Sequence, residues 1–158
     1  MTDPRRADWR ATTSRSFRRS EVSRTIGRGD GVWERAARDI LNWKVKTRSG
    51  FRVEDARPAA SGVQLIITAR VMGRTVREPV EVVDVVSEPS RVGFSYRTLP
   101  GHPVSGEEAF IVHRDGDDVV LTIRSLTSAA PQQPWRALYP VLRVAQVIAR
   151  RRYLRSLR

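Results

Sequence analysis

WRALYPVLRVAQVIARRRYLRS, residues Trp135 to Ser156, is helical in pattern from end to end. Leu138, Val141, Leu142, Ala145, Ile148, Ala149 and Tyr153 recur at three- and four-residue spacing, which gathers them on one side of the helix. Arg136, Arg143, Arg150, Arg151 and Arg158 gather on the other. Pro140 lacks an N–H, so the helix either starts near it or kinks there. Pro131 and Pro134 close off whatever lies upstream.

Upstream lies a run of strand patterns. Phe17 to Thr25 shows short alternation, and Ile26-Gly27-Arg28-Gly29-Asp30-Gly31 turns the chain into a helix over Val32 to Trp43 with Asp30 near its N-cap. Trp33, Ala36, Ala37, Ile40, Leu41 and Trp43 make the apolar face of that helix; Arg35, Arg38, Asp39 and Asn42 take much of the other. The glycine-rich turn lacks the Gly-Lys-Ser/Thr ending of a phosphate loop and the spacing of a dinucleotide fingerprint, so it reads as a connection.

Six strands follow. Ser49 to Glu54 is short; Val63 to Val71 alternates cleanly, and Met72-Gly73-Arg74 turns it into Val76 to Val86, where Pro79 predicts a bulge or an edge. Arg91 to Thr98 puts Val92, Phe94 and Tyr96 on one face, and a loop spans Leu99 to Gly106. Glu107 to His113 and Asp118 to Ser125 form a hairpin around Arg114-Asp115-Gly116-Asp117.

A sheet with one apolar face must cover it. The closing helix, at roughly 30 Å for about 20 residues, is the element long enough to do so. The reading is an α+β, helix-grip fold: a curved antiparallel sheet of about seven strands wrapped around a long C-terminal helix. Residues 1–16 read as a flexible basic tail, although Trp9 could dock, and 17–158 as a single domain.

Composition narrows the function classes. The 158-residue chain has no cysteine and two histidines, His102 and His113, which removes disulfides, thiol nucleophiles and thiolate metal sites and predicts no metal. No cofactor motif is present. No apolar run reaches the ~18–20 residues of a membrane span. The basic N-terminus lacks the apolar stretch of a secretory signal, so a cytoplasmic location is expected. The net charge of +12 points to nucleic acid or an anionic membrane surface. Lys44 and Lys46 are the only lysines, however, so the excess is arginine, as a GC-rich coding sequence would also produce.

One stretch is distinctive: Gly93-Phe94-Ser95-Tyr96-Arg97-Thr98-Leu99-Pro100-Gly101-His102-Pro103-Val104-Ser105-Gly106-Glu107-Glu108-Ala109-Phe110. It resembles the signature of an uncharacterised family of bacterial and plant proteins, the "domain of unknown function nineteen-ninety" family. Ile26-Gly27-Arg28-Gly29 with Trp33, Ala36 and Trp43, and Gln146 with Arg151, Arg152, Tyr153 and Leu154, are similar to that family too. The resemblance covers roughly residues 17–157 and implies a START-like (SRPBCC-like) fold of the polyketide-cyclase and birch-pollen-allergen group, with no catalytic activity attached. Arg97 stands where the family usually has glycine, Val104 where an acidic residue is common, and Thr127-Ser128-Ala129 where many members carry Ser-Arg-Pro.

Three functions follow as expectations. The first is binding of an apolar small molecule or lipid between sheet and helix, where Ala145 and Ala149 leave volume. Phe94, Tyr96, His102, Phe110 or Ile111, Leu142, Ala145 and Ala149 are its candidate walls; Phe110 and Ile111 alternate, so only one of them faces inward. The second is an enzyme in the same cavity, with His102 and Glu107 or Glu108 as the acid–base candidates. Those glutamates are adjacent on a strand, so only one can enter. Without chemistry, Gly101, Pro103 and Gly106 shape the turn, and His102 with one glutamate ties it down. The third is peripheral binding to RNA, ribosome or an anionic membrane through the arginines of the last helix and Arg5, Arg6, Arg10, Arg15, Arg18 and Arg19.

Overall fold

A computed structural model describes residues 1–10, 16–55, 57–71 and 73–158. The expected turn residue Met72 and the tail arginine Arg15 lie outside the described residues. The elements run β1 (Arg18–Arg28), α1 (Asp30–Leu41), α2 (Lys44–Thr47), β2 (Phe51–Val53), β3 (Gln64–Val71), β4 (Arg74–Glu88), β5 (Arg91–Thr98), β6 (Val104–Asp115), β7 (Asp118–Ala129) and α3 (Trp135–Tyr153). All seven strands form one antiparallel sheet in the order β1-β7-β6-β5-β4-β3-β2. The two strands that flank α1 and α2 in sequence are therefore the two edges of the sheet, and the helical segment crosses its concave side to join them. This is the α+β helix-grip fold.

What covers the concave face differs from expectation. Trp33, Ala36 and Ile40 of α1, with Trp43, pack on Ile67, Val80, Val82, Phe94, Phe110, Leu121 and Ile123. The short helix pair, rather than α3, closes that half of the core. Tyr153 is the one residue of α3 that is buried, with Leu157 just beyond the helix. Leu138, Val141 and Ile148, expected on a covered side, are exposed. Ala149, Tyr153, Leu154 and Leu157 meet the core, so this segment contacts it through its C-terminal end.

Trp43 explains the unexpected α2. The sequence pattern places it last in the first helix, but its backbone is left-handed (φ 60°), a conformation that costs a non-glycine residue about 1–2 kcal/mol. Complete burial of the indole against Phe94, with ring centroids 4.4 Å apart, offsets that cost. The indole N–H donates to the Arg57 carbonyl at 3.1 Å. The turn ends α1 at Leu41 and starts a second helix that points Lys46 inward. Asp39, assigned to the polar face, is instead buried and paired with Arg48 at 2.8 Å. Asp30 lies next to the N-cap of α1, Gly29, in the first turn, and pairs with Arg114 at 2.6 Å.

Strand ends also moved. β6 and β7 extend to Val104 and Ala129, so the last three residues of the expected loop, Val104 to Gly106, are strand. Gly106 allows this: a Cβ there would meet the Leu126 carbonyl oxygen at 1.8 Å, at φ +150°. The bulge of β4 falls between Val82 and Asp84. Pro79 pairs with Ile66 just past the last residues of β5, and its carbonyl accepts from the Leu99 N–H. Its missing donor therefore faces a position where the neighbouring strand has run out. Pro140 lies inside α3, which begins five residues before it at Trp135.

Residues 1–10, read as part of a loose tail, are laid against the convex face. Arg124, almost wholly buried, donates to the carbonyls of Asp3 (2.6 Å), Arg6 (2.9 Å) and Ala7 (2.9 Å) and to Glu21 (2.6 Å). Arg91 donates to the carbonyls of Pro4 (2.6 Å) and Arg6 (2.8 Å). Two guanidiniums on the outward register of β5 and β7 thus supply donors for a segment that has no periodicity of its own. Trp9 is buried beneath the Arg19 guanidinium, 4.3 Å from its ring centroid.

Candidate functional site

Strand alternation decides which polar side chains enter the space under α3. In β4, Glu78 shares its parity with Val76, Val80 and Val82; in β6, Glu108 shares its parity with Phe110 and Val112. Tyr96 and Ser125 lie directly across from Glu108 on β5 and β7. Two carboxyl groups therefore stand on the apolar register of the sheet.

Between these strands and α3 lies a cavity of about 330 Å³, at the small end of the ~300–1,000 Å³ typical of small-molecule sites. Val71, Val76, Val104, Leu142, Ala145 and Ala149 are among its apolar walls, and Arg70, Arg150 and Arg152 also border it. The cavity exists because Ala145 and Ala149 occupy the stretch of α3 that crosses it.

Its floor carries a buried ionic cluster. Lys46 Nζ donates to Glu108 Oε2 at 3.1 Å and to the Tyr153 hydroxyl at 2.8 Å; the Tyr96 hydroxyl donates to the same glutamate oxygen. The rings of Phe51, Tyr153, Tyr96 and Phe110 surround the ammonium at 4.8, 4.8, 5.2 and 5.3 Å from their centroids. Burial, with the neighbouring Glu108 carboxylate, pushes both tyrosine hydroxyls well above their usual pKa, so they remain protonated donors. One lysine thereby ties α2, β6 and the last turn of α3 together.

A second polar group is uncommitted. The His102 Nδ1 accepts from the Val104 N–H at 3.1 Å, which places the ring proton on Nε2. That nitrogen lies 3.9 Å from Glu78 Oε2, beyond hydrogen-bonding distance. Desolvation first, then the Lys46 charge, lowers the His102 pKa to about 4; desolvation raises that of Glu78 to about 7, against the pull of Lys46. At neutral pH the imidazole is uncharged, so this contact is no ion pair. Ser125 Oγ is the one buried side-chain oxygen or nitrogen among the described residues with no hydrogen-bond partner. All three residues line the cavity.

The sequence-based candidates divide accordingly. Tyr96, His102, Leu142, Ala145 and Ala149 border the cavity. Phe94 and Phe110 do not: they pack against Trp43 and against each other in the core beneath it. Phe110 is the inward member of its pair, and Ile111 lies outside that cluster. Glu108 enters as one of the two adjacent glutamates. Glu107 also borders the space, but its side chain accepts from Thr2 N at 2.7 Å, on the docked N-terminal segment. His102 contacts neither glutamate of its own motif; the carboxyl nearest it is Glu78, from another strand.

Lys46, Glu78 and Ser125 were not singled out from the sequence. The signal for Glu78 is present there as an acidic residue on the inward parity of an otherwise apolar strand. Lys46 has no such signal, since its direction depends on the left-handed turn at Trp43. The tail arginines expected to form a free basic surface are largely engaged: Arg5 with Asp84 at 2.9 Å, Arg6 with Asp3 at 4.0 Å and Arg10 with Asp8 at 3.7 Å.

Comparison with known proteins agrees with this architecture. A hypothetical protein of Helicobacter pylori, jhp0584, superposes with a TM-score of 0.63 at 14% identity, over 99% of this chain and 96% of that one. The crystal structure of Ara h 8.0201 gives 0.54 at 12% identity, over 87% and 95%. At such identities the likeness is one of fold. In sequence, a UPF0548 protein of Deinococcus radiodurans is 30% identical over 173 residues, covering 98% of this chain and 80% of that protein. A UPF0548 protein of Arabidopsis thaliana is 29% identical over 101 residues, covering 60% and 49%. Residues 5–156 match the family described as "Domain of unknown function (DUF1990)", and the chain belongs to that family.

Proposed function

We propose that this chain, as a START-like helix-grip protein, binds one small apolar molecule or lipid in the cavity under α3. The observation that carries the reading is the 330 Å³ space itself, with an alanine-lined roof where larger side chains would have closed it. The polar groups refine the ligand. Lys46 and Glu108 already satisfy one another, so they offer no free charge. His102 Nε2–H, Glu78 and Ser125 Oγ are a donor, a titrating carboxyl and a hydroxyl without protein hydrogen-bond partners. An apolar body carrying a hydroxyl or carbonyl gives this donor, carboxyl and hydroxyl the hydrogen-bond partners they lack.

Native mass spectrometry of the chain purified from cells and then exposed to dodecanol tests the reading. One bound molecule is expected on the wild type and none on Ala145→Trp, whose side chain occupies the space. Equal uptake by both proteins, or none by either, would overturn it.

A further inference from the structure

α3 carries a row of exposed apolar side chains. Leu138, Val141, Val144, Val147 and Ile148 are 42, 54, 61, 46 and 47% exposed, and every other exposed large hydrophobic among the described residues is Met1. Five aliphatic side chains on one helix are not the scattered single exposures of an ordinary surface. Ile148 borders the cavity beside Ala145 and Ala149, and Leu138 lies two turns before Ala145 on the same side, so the outward strip distinct from the cavity roof is Val141, Val144 and Val147.

Arginines border that strip. Arg136, Arg143, Arg151, Arg155 and Arg158 are exposed, and none of them has a carboxylate within 4.0 Å among the described residues. The sequence holds no Asp or Glu after Asp118. Apolar side chains in a band beside unpaired cations make up the pattern of a helix lying in the plane of an anionic bilayer surface: aliphatics enter the acyl boundary and guanidiniums meet the head groups. No helix of the described residues is long and apolar enough to cross a membrane. RNA fits less well, because single strands are held on exposed aromatic faces and this strip is aliphatic.

We infer that the outward face of α3 docks on an anionic lipid surface. This is an interaction site separate from the cavity, and it stands whether or not the cavity takes a ligand. If both hold, docking would bring the cavity's roof to the lipid from which an apolar molecule would come.

Co-sedimentation of the full chain with vesicles tests it. Vesicles of phosphatidylcholine with about a third phosphatidylglycerol should bind at least about tenfold more strongly than phosphatidylcholine alone. Val144→Glu/Val147→Glu should lose about tenfold at unchanged melting temperature, since both positions are exposed. Val144→Ser/Val147→Ser serves if the acidic pair disturbs folding, with a smaller loss expected. Absence of vesicle binding overturns the inference, as does binding that neither pair alters. A dimer that the same substitutions dissolve assigns the strip to a second copy of the chain, and RNA binding without vesicle binding assigns the arginines to nucleic acid; each also overturns it. Dodecanol binding in vesicle-free solution reads the cavity separately.

Discussion

Lys46 sits among four aromatic rings with one carboxylate and one phenol on its nitrogen, and its stability effect should be that of a buried pair. Removing one partner strands the other charge, so Lys46→Met should cost about 3–5 kcal/mol in urea denaturation. Lys46→Met/Glu108→Leu should cost clearly less than the single change, because no buried charge is left alone. Glu78 and His102 make a second prediction. Glu78, with an ordinary value of 4.5 raised to about 7, is protonated in the fold and ionised in the unfolded chain between those values. Its contribution is present at low pH and lost as pH rises to 7, by about 3 kcal/mol. His102, lowered from 6.5 to about 4, is neutral in the fold while the unfolded chain takes up a proton. Its contribution is present above 6.5 and lost as pH falls to 4, by about 3 kcal/mol. The two slopes oppose each other across their shared window. Glu78→Gln should therefore gain on the wild type as pH rises, and His102→Asn as pH falls, in denaturation series from pH 4 to 8. A pH-independent difference for either variant would contradict the assignment. Of these residues, His102 and Glu108 were legible from the motif, because a histidine in a glycine-proline turn and an acidic pair on a strand are visible without coordinates. Glu78 is 24 residues from His102 in sequence, and only the β4–β5 pairing brings them together.

At the scale of elements, the strands were legible and the way they are covered was not. Alternation located β3, β4, β5 and the β6–β7 hairpin within a few residues, since period-two patterning reports one buried face directly. The same signal stopped short at Glu107 and Ser125, because Val104–Gly106 and Leu126–Ala129 carry small and polar residues whose pairing depends on each other. The N-terminal segment failed for a different reason. Its partners, Arg91 and Arg124, are more than 80 residues away, and they bind its carbonyls rather than its side chains. Arg124→Met should accordingly free residues 2–9, raise their amide exchange, and destabilise the chain by about 2–4 kcal/mol as several charge-assisted hydrogen bonds are lost. Unchanged exchange in that segment would show that it is held by something else. For α3, the helical period was correct, but the inward side was narrower than the apolar residues implied. A helix apolar on its outer face as well as its inner one invites the wrong assignment of Val141, and only the contacts with the sheet separate the two sides.

For the molecule as a whole, family, fold and cavity form one chain of argument. The order of elements and the Gly93–Phe110 motif both pointed to the helix-grip arrangement, and the sheet order places that motif across β5 and β6 at the cavity. Trp43, Phe94 and Phe110 close the half of the core under α1, while the half under α3 holds the alanines and the polar residues. The chain's central property is thus an interior left open on one side of a packed aromatic floor. NMR of methyl-labelled protein titrated with dodecanol tests this most directly. The account predicts saturable shifts, at one ligand per chain, in the methyls of Val104, Leu142, Ala145 and Ala149. Shifts confined to Val141, Val144 and Val147 on the outer face, or no saturable shift at all, would contradict it.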